Sequence, residues 1–281
     1  MTGASGPVRA SAVAGSWYPG DAERVRAEVE GYLADVPAQP LPGRLVGLIA
    51  PHAGLRYSGP VAAHAYAPLR GWRRLTAILV GPSHRMAFDG VALFPRGTFE
   101  TPLGRVPIDE EAAERVRQAA GVVFADPRPH RDEHSLEMQL PFLQHLVAEL
   151  RIVPLLMGSQ TRAEVDALSA GLAAAATGPD VVLVASSDLS HYHPAPIANR
   201  LDASVVAEVE ALRPDGLMDL LERSHEHACG GGPMVAVMKA SAAAGARQAR
   251  ILRYADSGDA GERDKSRVVG YLAAALLGPP E

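Results

Sequence analysis

Three short apolar segments of this chain each run directly into a turn that carries a histidine. The segments and their histidines are residues 45–50 with His52, residues 75–80 with His84, and residues 181–185 with His191. Short, continuously apolar runs closed by Pro, Gly or Ser are typical of buried strands. Ligands of open α/β sheets bind at the carboxyl edge of the strands. The sequence therefore predicts imidazoles gathered at one rim of a sheet, and a metal ion is the simplest reason to gather them there.

The order of the predicted elements indicates an α/β fold. Strand-like segments alternate with helical ones, which is typical of a mixed, largely parallel central sheet with helices on both faces. No composition break divides the 281 residues, so we expect a single domain over 1–281, with a mobile start over residues 1–9. Asp21 and Asp109 are expected to cap helices, and a helix is expected from Ser135 to Leu150.

Composition narrows the classes of function. The formal net charge is -5 and no basic stripe is present, which argues against nucleic acid as a partner. No uncharged apolar run reaches about 18 residues, so we expect no membrane span. Cys229 is the single cysteine, which excludes a disulfide within the chain. Together with an N-terminus that lacks a secretory signal pattern, this favours the cytoplasm.

The residue types near the turns suit a transition metal, because imidazole nitrogen binds Fe, Zn, Cu and Ni. The HExxH, CxxC and P-loop motifs are absent from the sequence. Asp188 and His191 could act as a ligand with a proton acceptor or as a ligand with its orienting partner, and Asp188 could instead cap a helix. Cys229 precedes three glycines and is either an inert buried thiol or a reactive or metal-bound thiolate. His225 and His227 are expected to be solvated, with metal binding as the alternative.

Other polar and aromatic residues form a second group of candidates. His134 and Glu137 are one helical turn apart, so they either face one side of a cleft together or complete a polar helix start. Trp17 and Tyr18 lie on a tight segment and either anchor the packing or line the cleft. Arg56 could meet an anionic or aromatic ligand there.

Together these motifs resemble the Memo family, whose prokaryotic members are called AmmeMemoRadiSam system protein B. The resemblance implies a fold similar to that of class III extradiol dioxygenases, which is one α/β domain with a mixed central sheet and a metal cleft. The matching segments lie in order between residues 12 and 275. They are AGSWYP at 14–19, PHAG at 51–54, YSG at 57–59, GPSH at 81–84, DEHSLEMQLPF at 132–142, SSDLSH at 186–191 and CG at 229–230.

The resemblance also implies a ligand set. His52 and His84 match the two histidines that hold ferrous iron in these dioxygenases, and Cys229 matches the cysteine that is the third ligand in Memo proteins. His191 matches the acid/base histidine, with Asp188 beside it to orient it or a bound water. Iron(II) is the first expectation, copper the second and zinc the third. Because a thiolate replaces the usual carboxylate and oxidises readily, ring cleavage is not carried over to this chain.

Four functional hypotheses result. The first is a non-haem metal protein with redox activity, in which His134 and Glu137 surround the metal ligands. The second is an adaptor module whose cleft receives a small molecule or a peptide without turnover. The third, suggested by the family name, is a partnership with a radical SAM enzyme and an AMMECR-type protein; the chain lacks CxxxCxxC and so is not the radical enzyme itself. The fourth is a zinc hydrolase.

Overall fold

Strands and helices alternate along most of the chain in the computed structural model, which describes residues 6–38, 40–260 and 264–280. The strands are β1 (Val8–Arg9), β2 (Leu45–Ala50), β3 (Arg74–Pro82), β4 (Val91–Leu93), β5 (Thr98–Thr101), β6 (Gly104–Pro107), β7 (Val123–Ala125), β8 (Glu149–Met157), β9 (Val181–Ser186), β10 (His191–His193), β11 (Gln248–Asp256) and β12 (Val268–Leu277). The α-helices are α1 (Ala22–Ala34), α2 (Leu55–Tyr66), α3 (Glu110–Ala119), α4 (Leu140–Leu146), α5 (Arg162–Ala175), α6 (Ala195–Glu210), α7 (Pro214–Arg223) and α8 (Gly231–Ala243).

The central sheet is mixed, with nine strands among the described residues. Its order is β10-β12-β2-β9-β3-β8-β4-β7, and β11 also pairs with β12. The neighbours β2, β9, β3 and β8 are parallel, whereas β12 is antiparallel to β2 and β4 is antiparallel to β8. A small separate sheet has the order β1-β5-β6. The carboxyl ends of β2, β9 and β3 consequently meet at one edge.

The parallel centre of the sheet is buried. Every residue of β2 is buried, and in β3 and β9 every residue but the first is buried. Helix α8 packs against β2, β3 and β9, and α2 packs against β2, β11 and β12. These contacts confirm the predicted single α/β domain with a mixed sheet flanked by helices, an architecture consistent with a dioxygenase-like fold. None of the helices in the described part of the chain is long and apolar enough to cross a bilayer.

Both predicted helix caps are confirmed. The Asp21 carboxylate accepts a hydrogen bond from the Arg24 amide at 2.9 Å, at the start of α1. The Asp109 carboxylate accepts one from the Ala112 amide at 3.0 Å, at the start of α3. Each cap satisfies an amide that has no partner within its own helix.

The helix predicted from Ser135 to Leu150 forms only in its middle, as α4, and the prediction is wrong at both ends. A 3-10 turn at Glu137–Gln139 precedes α4, which ends at Leu146, and the chain enters β8 at Glu149. Glu149 and Leu150 pair in register with the first two residues of β3, so the ladder takes up their backbone groups. Tertiary pairing therefore overrides the helical pattern at this point.

The prediction that residues 1–9 are mobile is wrong for the last two of them, Val8 and Arg9. Residues 1–5 lie outside the described residues, but Val8–Arg9 forms β1 and pairs in parallel with β5. Arg9 is buried and forms an ion pair with Glu137. Its Nε atom also donates to the carbonyl of His130 at 2.8 Å. Because a buried guanidinium has lost its hydration, these partners hold the N-terminal segment in place.

The buried centre of the sheet yields a stability prediction. Ile78 in β3 is fully buried, so Ile78→Ala should lower the free energy of unfolding by about 2–5 kcal/mol through lost apolar burial and a residual cavity. Ile197 in α6 is 40% exposed, and Ile197→Ala should cost less than about 1 kcal/mol. Urea unfolding of both variants checks this, and equal losses would contradict the assigned core.

Candidate metal centre and cleft

The candidate site lies at the carboxyl edge of the parallel strands. His52 follows β2, His84 follows β3, and Asp188 follows β9, so neighbouring strands bring the three residues together. Cys229 comes from the segment before α8, and its amide donates to the Asp188 carbonyl at 3.3 Å. At Gly230, a Cβ atom would lie 2.4 Å from the carbonyl oxygen of Ser186, so glycine is required for this close approach.

The three predicted ligands have donor atoms close enough to share one cation. The ligand atoms of His52, His84 and Cys229 all lie within 4.8 Å of one another. Nε2 of His52 is 3.3 Å from Sγ of Cys229. A tetrahedral ion with bonds of about 2.0 Å to nitrogen and 2.3 Å to sulfur places such atoms about 3.5 Å apart. The donor set therefore fits a transition-metal ion.

A buried hydrogen-bond network fixes the tautomer of His52. The Ser186 hydroxyl donates its proton to the carbonyl of Ser135 at 2.7 Å and accepts from Nε2 of Gln139 at 2.9 Å. Nδ1 of His52 is 2.8 Å from the same oxygen, which has no second proton to give. Nδ1 is therefore the protonated nitrogen, and the lone pair of Nε2 faces Cys229.

Glu133 plays the corresponding part for His84. Its Oε1 atom is 3.0 Å from Nδ1 of His84 and accepts from the amides of His134 and Ser135, both at 2.9 Å. Burial acts to raise the pKa of Glu133, but the hydrogen bonds from His84 and the neighbouring His84 and His134 imidazoles outweigh it and hold this pKa well below its usual range. A carboxylate accepts the Nδ1 proton of His84, which leaves Nε2 as the donor atom for a metal.

Asp188 ties the two sides of the donor set together. Its Oδ1 atom accepts from the amide of His52 at 2.7 Å and from that of Ala53 at 3.3 Å, while its carbonyl accepts from Cys229. Burial raises the pKa of Asp188 to about 6. The carboxylate thus holds the His52 turn, and the role of orienting His191 stays a prediction.

Burial sets the charge states of the prospective ligands. It lowers the pKa of His52 to about 3, so this imidazole is neutral at pH 7 and has a free lone pair. Burial raises the pKa of the Cys229 thiol, and the Asp188 charge adds to this shift. A thiol proton must therefore leave when a cation binds, which makes binding depend on pH.

An open cleft of about 840 Å³ adjoins the donor set. The ring of Trp17 lies 4.2 Å from that of His134, which in turn stacks on His84 at 4.6 Å. His191, at the start of β10, lines the same cleft, so the structure brings the predicted acid/base residue to the site. The cleft is lined by His52, His84, His134, Asp188 and His191, together with Trp17, Tyr57, Tyr192, Tyr271, Arg56, Arg85, Arg267 and Asp264 among others.

Glu137 and Tyr18 do not join this cleft. The Glu137 carboxylate accepts from the Tyr18 hydroxyl at 2.6 Å and from the Ala12 amide at 2.7 Å, besides pairing with Arg9. The expectation that Glu137 faces the cleft beside His134 is wrong, because no regular α-helix forms there and the buried Arg9 holds the carboxylate. Both residues instead anchor the N-terminal segment, which was the alternative for Tyr18.

The expectation for the two histidines before Cys229 holds for one of them. His225 is exposed. His227 is buried, with Nδ1 3.1 Å from the carbonyl of Ser224, so its predicted solvation is wrong.

The supporting residues Glu133, Ser186 and Gln139 escaped the sequence reasoning. Ser186 directly follows an apolar strand, and Glu133 directly precedes His134 in a polar stretch, so each had a weak local signal. Their partners lie 134 and 49 positions away, at His52 and His84 respectively. Such distances hide the pairing from any local pattern.

The fold and site define a class of protein: a single-domain α/β protein with two imidazoles and a thiol gathered at the carboxyl edge of parallel strands, beside an open cleft. The profile of the Memo-like protein family matches residues 9–275. This chain belongs to the Memo-like family, which confirms the resemblance drawn from its motifs.

Relatives named as MEMO1 family proteins match along nearly their whole length. One from Methanothermobacter thermautotrophicus is 38% identical over 274 residues, covering 94% of this chain and 98% of the relative. One from Methanopyrus kandleri is 39% identical over 277 residues, covering 94% and 97%. A third, from Methanocaldococcus jannaschii, is 37% identical over 284 residues, covering 95% and 98%.

The tautomer assignment can be tested directly. In ¹⁵N-resolved NMR spectra of metal-free protein, His52 should be neutral and protonated at Nδ1 from about pH 8 to pH 5, because its pKa is about 3. Ser186→Ala removes the acceptor of that proton and should raise the fraction protonated at Nε2. Ser187→Ala is the matched control, since the Ser187 hydroxyl donates to the Asp188 carbonyl. A dominant Nε2–H form in the unaltered protein would refute the assignment.

Proposed function

We propose that this chain is a Memo-like metal-binding protein in which His52, His84 and Cys229 hold an iron or copper ion at the base of the cleft. The observation that carries the proposal is the convergence of donor atoms, with Nε2 of His52 3.3 Å from Sγ of Cys229. Outer hydrogen bonds hold Nδ1 of both imidazoles, as is usual for histidines that bind metals.

The chemistry of the donor set supports a redox-active ion. Imidazole suits iron, copper and zinc, and a thiolate shifts the preference toward soft ions and away from magnesium or calcium. When bound, an iron or copper ion would supply one-electron chemistry. Three protein ligands leave coordination positions for a substrate, which is typical of a catalytic rather than a structural site.

The remaining residues of the cleft would handle the bound ligand. His191 would give or take a proton at that ligand, since imidazole can do so near neutral pH. Arg85 and Arg267 line the cleft and favour a ligand with negative charge. Trp17 and His134 offer ring faces on which a planar group could lie. We therefore propose a small anionic or aromatic molecule as the ligand.

Metal titration tests the proposal. Addition of iron(II) or copper(II) to metal-free protein without oxygen should give one-to-one binding and a sulfur-to-metal charge-transfer band. Copper(I), which is d¹⁰ like zinc, gives no such band, and its binding is measured by competition with a chelator. Cys229→Ser should abolish the band and weaken binding, whereas His191→Asn should retain both. Zinc is d¹⁰ and gives no such band in the visible region. Protein that binds zinc but neither iron nor copper would overturn the redox proposal in favour of a zinc enzyme.

The support given by Glu133 yields a second test. Glu133→Gln removes the charged acceptor of the His84 Nδ1 proton and should lower metal affinity about 10–100-fold, as measured by competition with a chelator. Asp132→Asn removes a carboxylate from the neighbouring position, but Asp132 is exposed and pairs with Arg131. This control should leave the affinity unchanged. Equal losses in both variants would show that only long-range charge matters.

A further inference from the structure

A second cavity, of about 560 Å³, has the prospective ligand Cys229 in its wall. It lies between the start of α5, helix α7 and the segment that leads into α8. Cys229 belongs to its wall, whereas His52 and His84 belong to the wall of the cleft. Because Sγ of Cys229 touches Nε2 of His52, the prospective ligands stand between the two spaces.

The wall of the second cavity is held firmly around Cys229. Nε2 of Gln160 donates to the carbonyl of Cys229 at 2.9 Å, and its Oε1 atom accepts from the amide of Gly232 at 2.7 Å. A Cβ atom at position 232 would lie 2.8 Å from the Gln160 side chain. The Gln160 side-chain amide therefore fixes the backbone on both sides of Gly230 and Gly231, and this part of the cavity wall is held in place by hydrogen bonds.

The two spaces differ in charge. Arg162 and Glu222 both line the second cavity. Arg162 and Lys239, which share Asp215 as a partner, are together paired with four carboxylates. These carboxylates are Asp166, Asp215, Asp219 and Glu222, each paired with one or both of the basic residues. The excess of negative charge there attracts cations. The cleft is lined by three arginines against two aspartates, which favours anions.

The donors in the second cavity suit a soft cation. The buried thioether side chain of Met218 lines it along with Cys229. Thioether and thiolate sulfur select copper(I) among the common metal ions. We propose that the second cavity is a separate entrance by which a soft cation, copper(I) foremost, reaches Cys229, while the cleft stays open to an anionic ligand. This inference rests on the proposed metal site.

Two tryptophan variants at exposed positions separate the routes. His225→Trp narrows the second cavity, and Ser16→Trp narrows the cleft. The first measurement is the rate at which iodoacetamide alkylates Cys229 in metal-free protein, which needs no metal and is unambiguous in a chain with one cysteine. The second is the rate of copper(I) loading from a weak competing ligand, together with the affinity at equilibrium.

His225→Trp should slow both alkylation and copper loading about tenfold or more, because access limits both, with affinity unchanged. Ser16→Trp should leave both rates at the level of the unaltered protein. His225→Ala, which opens the cavity without bulk, should alkylate at least as fast as the unaltered protein and guards against a folding artefact. Slowing by Ser16→Trp, or no slowing by His225→Trp, overturns the inference. If the variants show the expected alkylation rates but the protein binds no copper, the proposed metal site is refuted instead.

Discussion

The amide of Gln139 joins the parts of the molecule on which the site depends. The two N–H protons of its Nε2 atom are shared among three acceptors: the carbonyl of Pro51 at 3.1 Å, that of Ser135 at 3.2 Å and the Ser186 hydroxyl at 2.9 Å. Its Oε1 atom accepts from the Tyr66 hydroxyl at 2.5 Å. One fully buried side chain thus links the ends of β2 and β9 to α2. Unpaired polar groups at this depth would be costly, so the network specifies a single arrangement of the strand ends.

Burial works in opposite directions on the prospective ligands. It keeps the His52 imidazole neutral and ready to donate, yet it also keeps the Cys229 thiol protonated. The charge of Glu133 survives burial because backbone amides and His84 surround it with donors. A cation that enters this environment meets a preformed arrangement of donors and has to displace one proton, that of the thiol. Cations that bind sulfur strongly enough to displace this proton are therefore favoured over other cations.

The strands and their histidine turns were predictable because continuous apolar runs signal buried strands regardless of what they pair with. The helix caps were predictable because this signal is also local: an aspartate before a helix accepts hydrogen bonds from amides only two or three residues later. Glu137 was misplaced because its partner, Arg9, lies 128 positions earlier in a segment expected to move. The helix expected through Leu150 failed because pairing with β3, not local propensity, decides that stretch. Local patterns therefore located the prospective ligands but not the residues that orient them.

The third prospective ligand, Cys229, comes from a different part of the fold than the two imidazoles, and this affects how such a site can diversify. The two imidazoles follow strands of the buried sheet, whereas Cys229 lies on a short connection. The Cys229 amide donates to the Asp188 carbonyl, and the Gly230 amide donates to the Ser187 hydroxyl. The identity of residue 229 is thus uncoupled from the folding of the sheet. If the site holds an ion, as proposed, a lineage could change the hardness of the ion that it prefers by exchanging this one side chain, with the rest of the scaffold unchanged.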